Sequence, residues 1–445
     1  MFLLRYARMG IIMCACALYV RWYMEGLPSS VKNSEAWERL ADRVGGEVGA
    51  RLAESIRSLY SLYSAGLVDW FVGLYDADIG GFYYSQSARD NETVEIEGKA
   101  YKLLPDAEST YQALRFIRSS GMSSDNFDKS IPEWMRRDIV KFIYNLQDPD
   151  GFFYHPQWGK DIGVSRRGRD LWWAKDMLSV LGSPMKYPTM DSAAPAEKKE
   201  LLIPDHLKSR EAFREYLESF DIDKGSYGMG NTLASQNQQI KAMGYMDMCA
   251  DYLTAHQHAD TGHWHFETSY SAINGLMKIS GVYNLAERAI PHALEGARSA
   301  IEALIAPEPI VGIVDLWNTW VAINQLASNQ RRFGGEEGER LADEIVREVW
   351  TLAPRAIEVT KEKITPFKKE MGSFSYCRDF PAPRSQGAVV TVPLLWEGDV
   401  NATLMATSEL TTAIYSSLAL KDDRVWMFGH EEYERYLSLL EAKRR

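Results

Sequence analysis

The amino-acid sequence predicts an all-α fold, built from helical hairpins set around a common axis with polar loops gathered at one mouth. Three observations lead there. A turn motif recurs in which Gly stands beside an aromatic in an acidic or amide-rich loop, followed by a helix-like run. Its copies are Asp76-Ala77-Asp78-Ile79-Gly80-Gly81-Phe82 and Asp148-Pro149-Asp150-Gly151-Phe152, with looser ones at Gly225-Ser226-Tyr227-Gly228, Thr261-Gly262-His263-Trp264 and Gly372-Ser373-Phe374. A recurring supersecondary unit is the mark of a repeat fold. Apolar residues follow a helical period over most of the chain, and strand signals are few. Finally, 445 residues exceed the usual size of one core unless a closed repeat carries it.

Taken in order, Ser34 to Leu74 has a helical period broken near Gly45-Gly46 and Gly66. Asp106 to Ser119 follows, with Ala113, Leu114, Phe116 and Ile117 as an apolar face. Ser130-Ile131-Pro132-Glu133 reads as a capping box that starts a helix running to Leu146. Asp170 to Leu181 ends at Gly182, and Ser183 to Pro204 reads as a long surface loop. Further helices are expected over 209–220, 231–255, 269–280, 283–305, 315–327, 336–360, 402–420 and 431–443. Ala388 to Leu395 is the best extended piece. Roughly twelve helices joined by short turns make antiparallel neighbours. Their irregular spacing favours a closed ring of six hairpins over an open solenoid. Residues 33–445 are expected to form one domain.

Composition narrows the partners. Apolar residues are 46% and charged residues 25%, the balance of a soluble globular protein. The net charge is -11 with no basic block, which argues against nucleic acid or an anionic membrane as partner. Cys14, Cys16, Cys249 and Cys377 give neither zinc spacing nor a disulfide framework, which favours a reducing, cytoplasmic setting. Residues 1–32 form an extension. Its apolar run Met9 to Val20 is too short for stable membrane insertion, and export is the alternative if residues 1–24 act as a signal peptide. There is no Gly-x-Gly-x-x-Gly fingerprint, phosphate loop or Gly-x-Ser-x-Gly elbow, so no cofactor is expected.

Gly80-Gly81-Phe82, Pro105-Asp106-Ala107-Glu108-Ser109-Thr110-Tyr111, Asp148-Pro149-Asp150-Gly151-Phe152 and Thr261-Gly262-His263-Trp264 together resemble the α/α toroids. This superfamily includes terpenoid cyclases, protein prenyltransferases and many carbohydrate-active hydrolases, lyases and epimerases. The resemblance implies an (α/α)6 toroid over about Asn33 to Leu420, with a site at the funnel mouth where loops lead into inner helices. Asp76-Ala77-Asp78-Ile79 offers two carboxylates of a cyclase Asp-x-Asp-Asp acid, and no Asp-Asp-x-x-Asp site exists. The carbohydrate branch is therefore the first expectation: a glycoside hydrolase or polysaccharide lyase acting on an acidic oligosaccharide by general acid/base catalysis. An isoprenoid-binding toroid and a non-catalytic scaffold are the alternatives.

The polar helix starts supply candidates. Glu108, Asp170, Asp315 and Asp399 are the candidate catalytic carboxylates, with His155 or His263 assisting. Arg167 and Arg169 are placed to hold an anionic group, and Trp158, Trp172, Trp264 and Trp317 to stack on sugar rings. Asn274, Asn401, Tyr376 and Arg378 complete the expected binding set. Asp and Asn also favour helix N-caps, which competes with a catalytic role at each position. His256-Gln257-His258 and His263-Trp264-His265 could ligate a metal only by folding together, and no metal site is expected.

Overall fold

A computed structural model describes residues 26–91, 93–122, 127–192 and 201–444. The signal-like stretch before residue 26, with Cys14 and Cys16, lies outside the described residues. The structure is all-α with three short antiparallel hairpins. After a single helical turn at Ser29–Lys32 come helices α1 Ser34–Val44, α2 Gly46–Tyr60 and α3 Leu67–Leu74. Strands β1 Tyr75–Asp76 and β2 Gly81–Phe82 pair, as do β3 Thr93–Ile96 and β4 Lys99–Lys102. Then come α4 Ala107–Ser119, α5 Glu133–Leu146, α6 Val164–Val180, α7 Arg210–Glu218, α8 Ile222–Ser235, α9 Met246–Ala255 and α10 Tyr270–Ala286. The chain continues with α11 Ala293–Ile305, α12 Val314–Phe333 and α13 Gly335–Ile364. Strands β5 Arg384–Ser385 and β6 Ala388–Val389 precede α14 Val400–Ala406, α15 Ser408–Ser417 and α16 His430–Lys443.

Six packing steps set the interior. Helix α4 packs on α6, α6 on α8, α8 on α10, α10 on α12, α12 on α15, and α14 and α15 return to α4. Gln112 Nε2 donates to Asn401 Oδ1 (3.1 Å), tying the first of these helices to the last. These helices are buried on several faces: in α10, Ala272, Ile273, Leu276, Ile279, Val282 and Tyr283 are all inside. The helices between them are amphipathic. In α13, Ala342, Ile345, Val349, Ala353, Ala356 and Ile357 recur at helical spacing on one buried stripe. One apolar cluster extends from Leu27 to Leu440. Close approach of α6 to α8 depends on Gly168, where a Cβ would fall 2.1 Å from the Ser235 carbonyl oxygen. Among the described residues no helix is long and apolar enough to cross a membrane.

The recurrent turn has a physical basis. Gly80, Gly151, Gly262 and Gly372 all adopt positive φ (86°, 91°, 67° and 83°), which only Gly takes without strain. In three copies an aromatic just after the Gly closes a β-bridge: Phe82 with Tyr75, Phe153 with Gln147, Phe374 with Lys368.

Some boundaries differ from the sequence expectation. The 130–133 capping box does not form; α5 starts at Glu133 behind Pro132, which offers no side-chain cap. Helix α6 starts at Val164, six residues ahead of Asp170. The expected 283–305 helix is split, because Glu287 and His292 turn left-handed, the second of them just after Pro291. The expected 231–255 helix is likewise in pieces, 222–235, 237–242 and 246–255. Of the extended piece 388–395, only Ala388–Val389 pairs as strand.

Candidate active site

Three of these helices, α4, α12 and α14, begin with the same frame. Asp106-Ala107-Glu108-Ser109-Thr110, Asp315-Leu316-Trp317-Asn318-Thr319 and Asp399-Val400-Asn401-Ala402-Thr403 each place Asp four residues before Thr. Asp106 caps α4, accepting from the Glu108 and Ser109 amides (2.9 and 3.1 Å). Asp399 caps α14, accepting from the Ala402 amide (2.7 Å), and its other oxygen accepts from the Tyr376 amide (2.8 Å). Asp315 holds the preceding turn, accepting from the Val311 and Gly312 amides (2.9 and 3.1 Å). The Thr110 and Thr403 hydroxyls accept from the Phe82 and Phe374 amides (3.0 and 2.9 Å), which joins each turn motif to its helix. The residue two past each Asp then faces one shared space: Glu108, Trp317 and Asn401 all line a cavity of about 310 Å³.

Other walls of that cavity are Tyr111, Arg169, Trp172, Tyr227, Asn231 and Tyr376. Tyr111 and Trp172 pack with centroids 5.2 Å apart. A further wall is the β5–β6 hairpin, turned by Gln386 and Gly387, both at positive φ (49° and 89°) as a two-residue hairpin loop requires. Its tip reaches in: Ser385 Oγ donates to Glu108 Oε1 (2.8 Å), and Gln386 Oε1 accepts from Asn231 Nδ2 (2.8 Å).

Behind Glu108 sits a buried charge cluster. Arg166, fully buried, donates to Asp106 (2.8 Å), Glu108 (2.8 Å) and Asp170 (2.9 Å). The guanidinium lies between the rings of Trp158 (4.8 Å) and Trp173 (5.2 Å). Three carboxylates share one cation, so burial outweighs attraction for two of them. The Glu108 carboxyl is pushed up by desolvation and held back by Arg166. Asp170 is pushed up to about 7 for the same reasons, and its second oxygen has no hydrogen-bond partner. Asp399, fully buried, is also raised to about 7 by burial. Burial holds the phenols of Tyr227 and Tyr376 above their ordinary range, so both keep their protons at neutral pH.

Of the residues singled out from sequence, Glu108, Arg169, Trp172, Trp317, Tyr376 and Asn401 are brought together on this cavity. Asp170 stands behind it under Arg166, and Asp315 and Asp399 lie buried beneath the wall. Asn274 donates to Asp315 Oδ1 (2.8 Å) and accepts from Asn318 (2.9 Å). Arg167 lies over the Phe152 ring (5.7 Å), and Arg378 is exposed and does not line the cavity. Trp264 is buried with its indole donating to the Leu253 carbonyl (2.7 Å). Trp158 stacks on His155 at 4.1 Å. His263 bonds the Thr268 hydroxyl (3.1 Å), and His258 pairs with Asp223 (3.1 Å). Among the described residues no group of three or more His, Cys, Asp or Glu is arranged to hold a metal ion. The sequence alone assigns no role to Arg166, Tyr227 or Lys278. The signal that points to the cavity wall, which Tyr227 and Lys278 share, is the Asp-x-x-x-Thr frame.

His155 is a structural group with a pH signature. Its Nδ1 accepts from the Gln157 amide (3.1 Å), which leaves Nε2–H to donate to the Pro105 carbonyl (3.0 Å). Burial pulls the imidazole from 6.5 down to about 4, so its contribution to stability is complete above pH 6.5 and is lost as pH falls through 4. The full loss is about 3 kcal/mol. Urea midpoints for the wild type and His155→Gln should converge as pH is lowered from 7 to 4. The raised carboxyls of Asp170 and Asp399 act in the opposite direction, but equally in both proteins. A constant gap across that range would show that His155 does not titrate in the folded state.

Comparisons with protein-family models, with curated proteins and with solved structures return no match for this chain.

Proposed function

We propose that α4, α6, α8, α10, α12 and α14–α15 form the inner ring of an (α/α)6 toroid, and that the cavity is the active site of a carbohydrate-active enzyme cleaving an acidic oligosaccharide. The closed series of helix contacts supports the ring. One observation carries the function: Glu108 is the sole carboxylate among the described residues lining the cavity, and it does so beside Arg169, Asn231, Asn401 and the faces of Trp172 and Trp317. Flat aromatic faces suit sugar rings. The charged and amide groups in the wall disfavour an isoprenoid chain, whose burial against them would leave polar groups unpaired.

A single carboxylate beside two protonated phenols favours β-elimination over hydrolysis by a carboxylate pair. Glu108 takes the proton on the carbon next to the sugar carboxylate. That electron pair forms the new carbon–carbon double bond, the glycosidic C–O bond breaks, and Tyr227 or Tyr376 protonates the leaving oxygen. Asp106, Asp170 and Arg166 hold Glu108 in place. Asp315 and Asp399 hold the wall.

A thermal-shift panel on the full chain tests this. It holds neutral oligosaccharides, oligouronides, isoprenyl diphosphates and divalent metals. Oligouronides are expected to raise the melting temperature by mass action and then to generate the ultraviolet absorbance of an unsaturated uronate. A shift with isoprenyl diphosphates alone, or none with any sugar, overturns the reading.

A further inference from the structure

The cavity continues past Glu108. Arg115, Arg169, Trp172, Lys278 and Trp317 line both it and a second cavity of about 370 Å³. These five side chains form a waist between the two spaces. Their charges are not balanced alike. Arg115 is committed to Glu409 in an ion pair. Glu409 is the one carboxylate among the described residues that lines the second cavity, and Glu108, in the first, is held by Arg166. Arg169 bonds only neutral partners, Ser235 Oγ (2.9 Å) and Asn231 Oδ1 (3.0 Å). Lys278 makes no hydrogen bond or ion pair among the described residues. It is brought to the waist by α10 packing against Gly230 of α8, where a Cβ would stand 3.0 Å from the Lys278 Cβ. Burial, with Arg169 and Arg115 nearby, pulls the amine down to about 7. Neither cation has a carboxylate in hydrogen-bonding contact, and like charges close enough to act on one another are costly unless an anion joins them.

We propose that Arg169 and Lys278 form a subsite for the anionic group of the substrate, a sugar carboxylate or sulfate ester, with Trp172 and Trp317 flanking the ring that bears it. This rests on the carbohydrate reading of the cavity and extends it. The acidic sugar enters charge first and stops at the waist, and Lys278 is the residue that selects it over the neutral sugar.

The experiment is calorimetric titration of the full-length wild type, Lys278→Met and Lys278→Arg with D-glucuronate, D-glucose and inorganic sulfate. Glucuronate is expected to bind the wild type more tightly than glucose. Lys278→Met should weaken glucuronate by about tenfold or more, the loss of a charge-assisted bond, and leave glucose unchanged. Lys278→Arg should restore most of the glucuronate affinity, which a mere folding defect in the Met variant would not explain. Glucuronate preference that is equal in all three proteins overturns the subsite and leaves the carbohydrate reading standing. Sulfate binding that depends on Lys278, with no binding of either sugar, keeps the anion subsite and removes the carbohydrate reading. Absence of binding by both glucuronate and sulfate to the wild type overturns the proposal.

Discussion

Replacing Arg166 with Met is expected to destabilise the fold by about 3–5 kcal/mol, the cost of leaving buried carboxylates without their cation. The side chain is wholly buried, and its three donors reach Asp106, Glu108 and Asp170 from a single guanidinium. Methionine fills much of the stem volume, so the loss is electrostatic more than a matter of cavity formation. The pH dependence identifies the cause. Arg166 is what holds the Glu108 and Asp170 carboxyls down against desolvation. Without it their folded pKa values rise further above the unfolded ones, so stability present at low pH is lost as pH rises. The variant should therefore lie closest to the wild type at pH 5 and furthest below it at pH 8, as read from urea midpoints. A deficit of the same size at both values would mean that packing against Trp158 and Trp173, not charge, is what Arg166 supplies.

The second large effect is on turnover. Glu108→Gln should lower kcat on the oligouronide identified by the thermal-shift panel by about 10²–10⁴-fold, the usual worth of a positioned general base. Gln keeps the shape and can still accept from Ser385 or Arg166 through its one carbonyl oxygen. Ligand-induced stabilisation should therefore survive, and the loss should appear in kcat with KM little changed. Retention of full activity would remove Glu108 from the proton transfer and return attention to the carboxylates behind the wall. Asp170→Asn makes a useful contrast. Asp170 contacts Arg166 and does not line the cavity, so its effect should come through the setting of Glu108.

Much of the helical layout is legible in the sequence, because apolar periodicity and Gly-aromatic turns are local signals. Asp106 and Asp399 can be recognised as caps, and Glu108 as a residue less easily assigned to capping. The side-chain directions are not legible. Arg166, Arg167 and Arg169 stand within four positions of one helix, and each residue turns the direction by about 100°. One of them meets three carboxylates in the core, one lies on Phe152, and one faces the cavity. Only the helix phase separates these outcomes, and the start expected for that helix falls six residues late. Lys278 is hidden differently. It follows Ile273, Leu276 and Met277 in a helix apolar on several sides, and no pattern within one helix says that this side chain meets a cavity. Ser385 and Gln386 come from a loop whose contacts lie more than a hundred residues away, beyond any local signal.

The bond between Gln112 and Asn401 spans 289 residues of sequence. Such separation has a consequence during synthesis. At the rates at which ribosomes extend a chain, roughly 15–60 s pass between the emergence of α4 and that of α14. Glu108 waits for Ser385 over nearly the same interval. The nascent chain must therefore carry α4, with its buried acids and an unclosed apolar flank, through most of translation. Its protection over that period falls to early partners such as α6 and Arg166, which emerge soon after it.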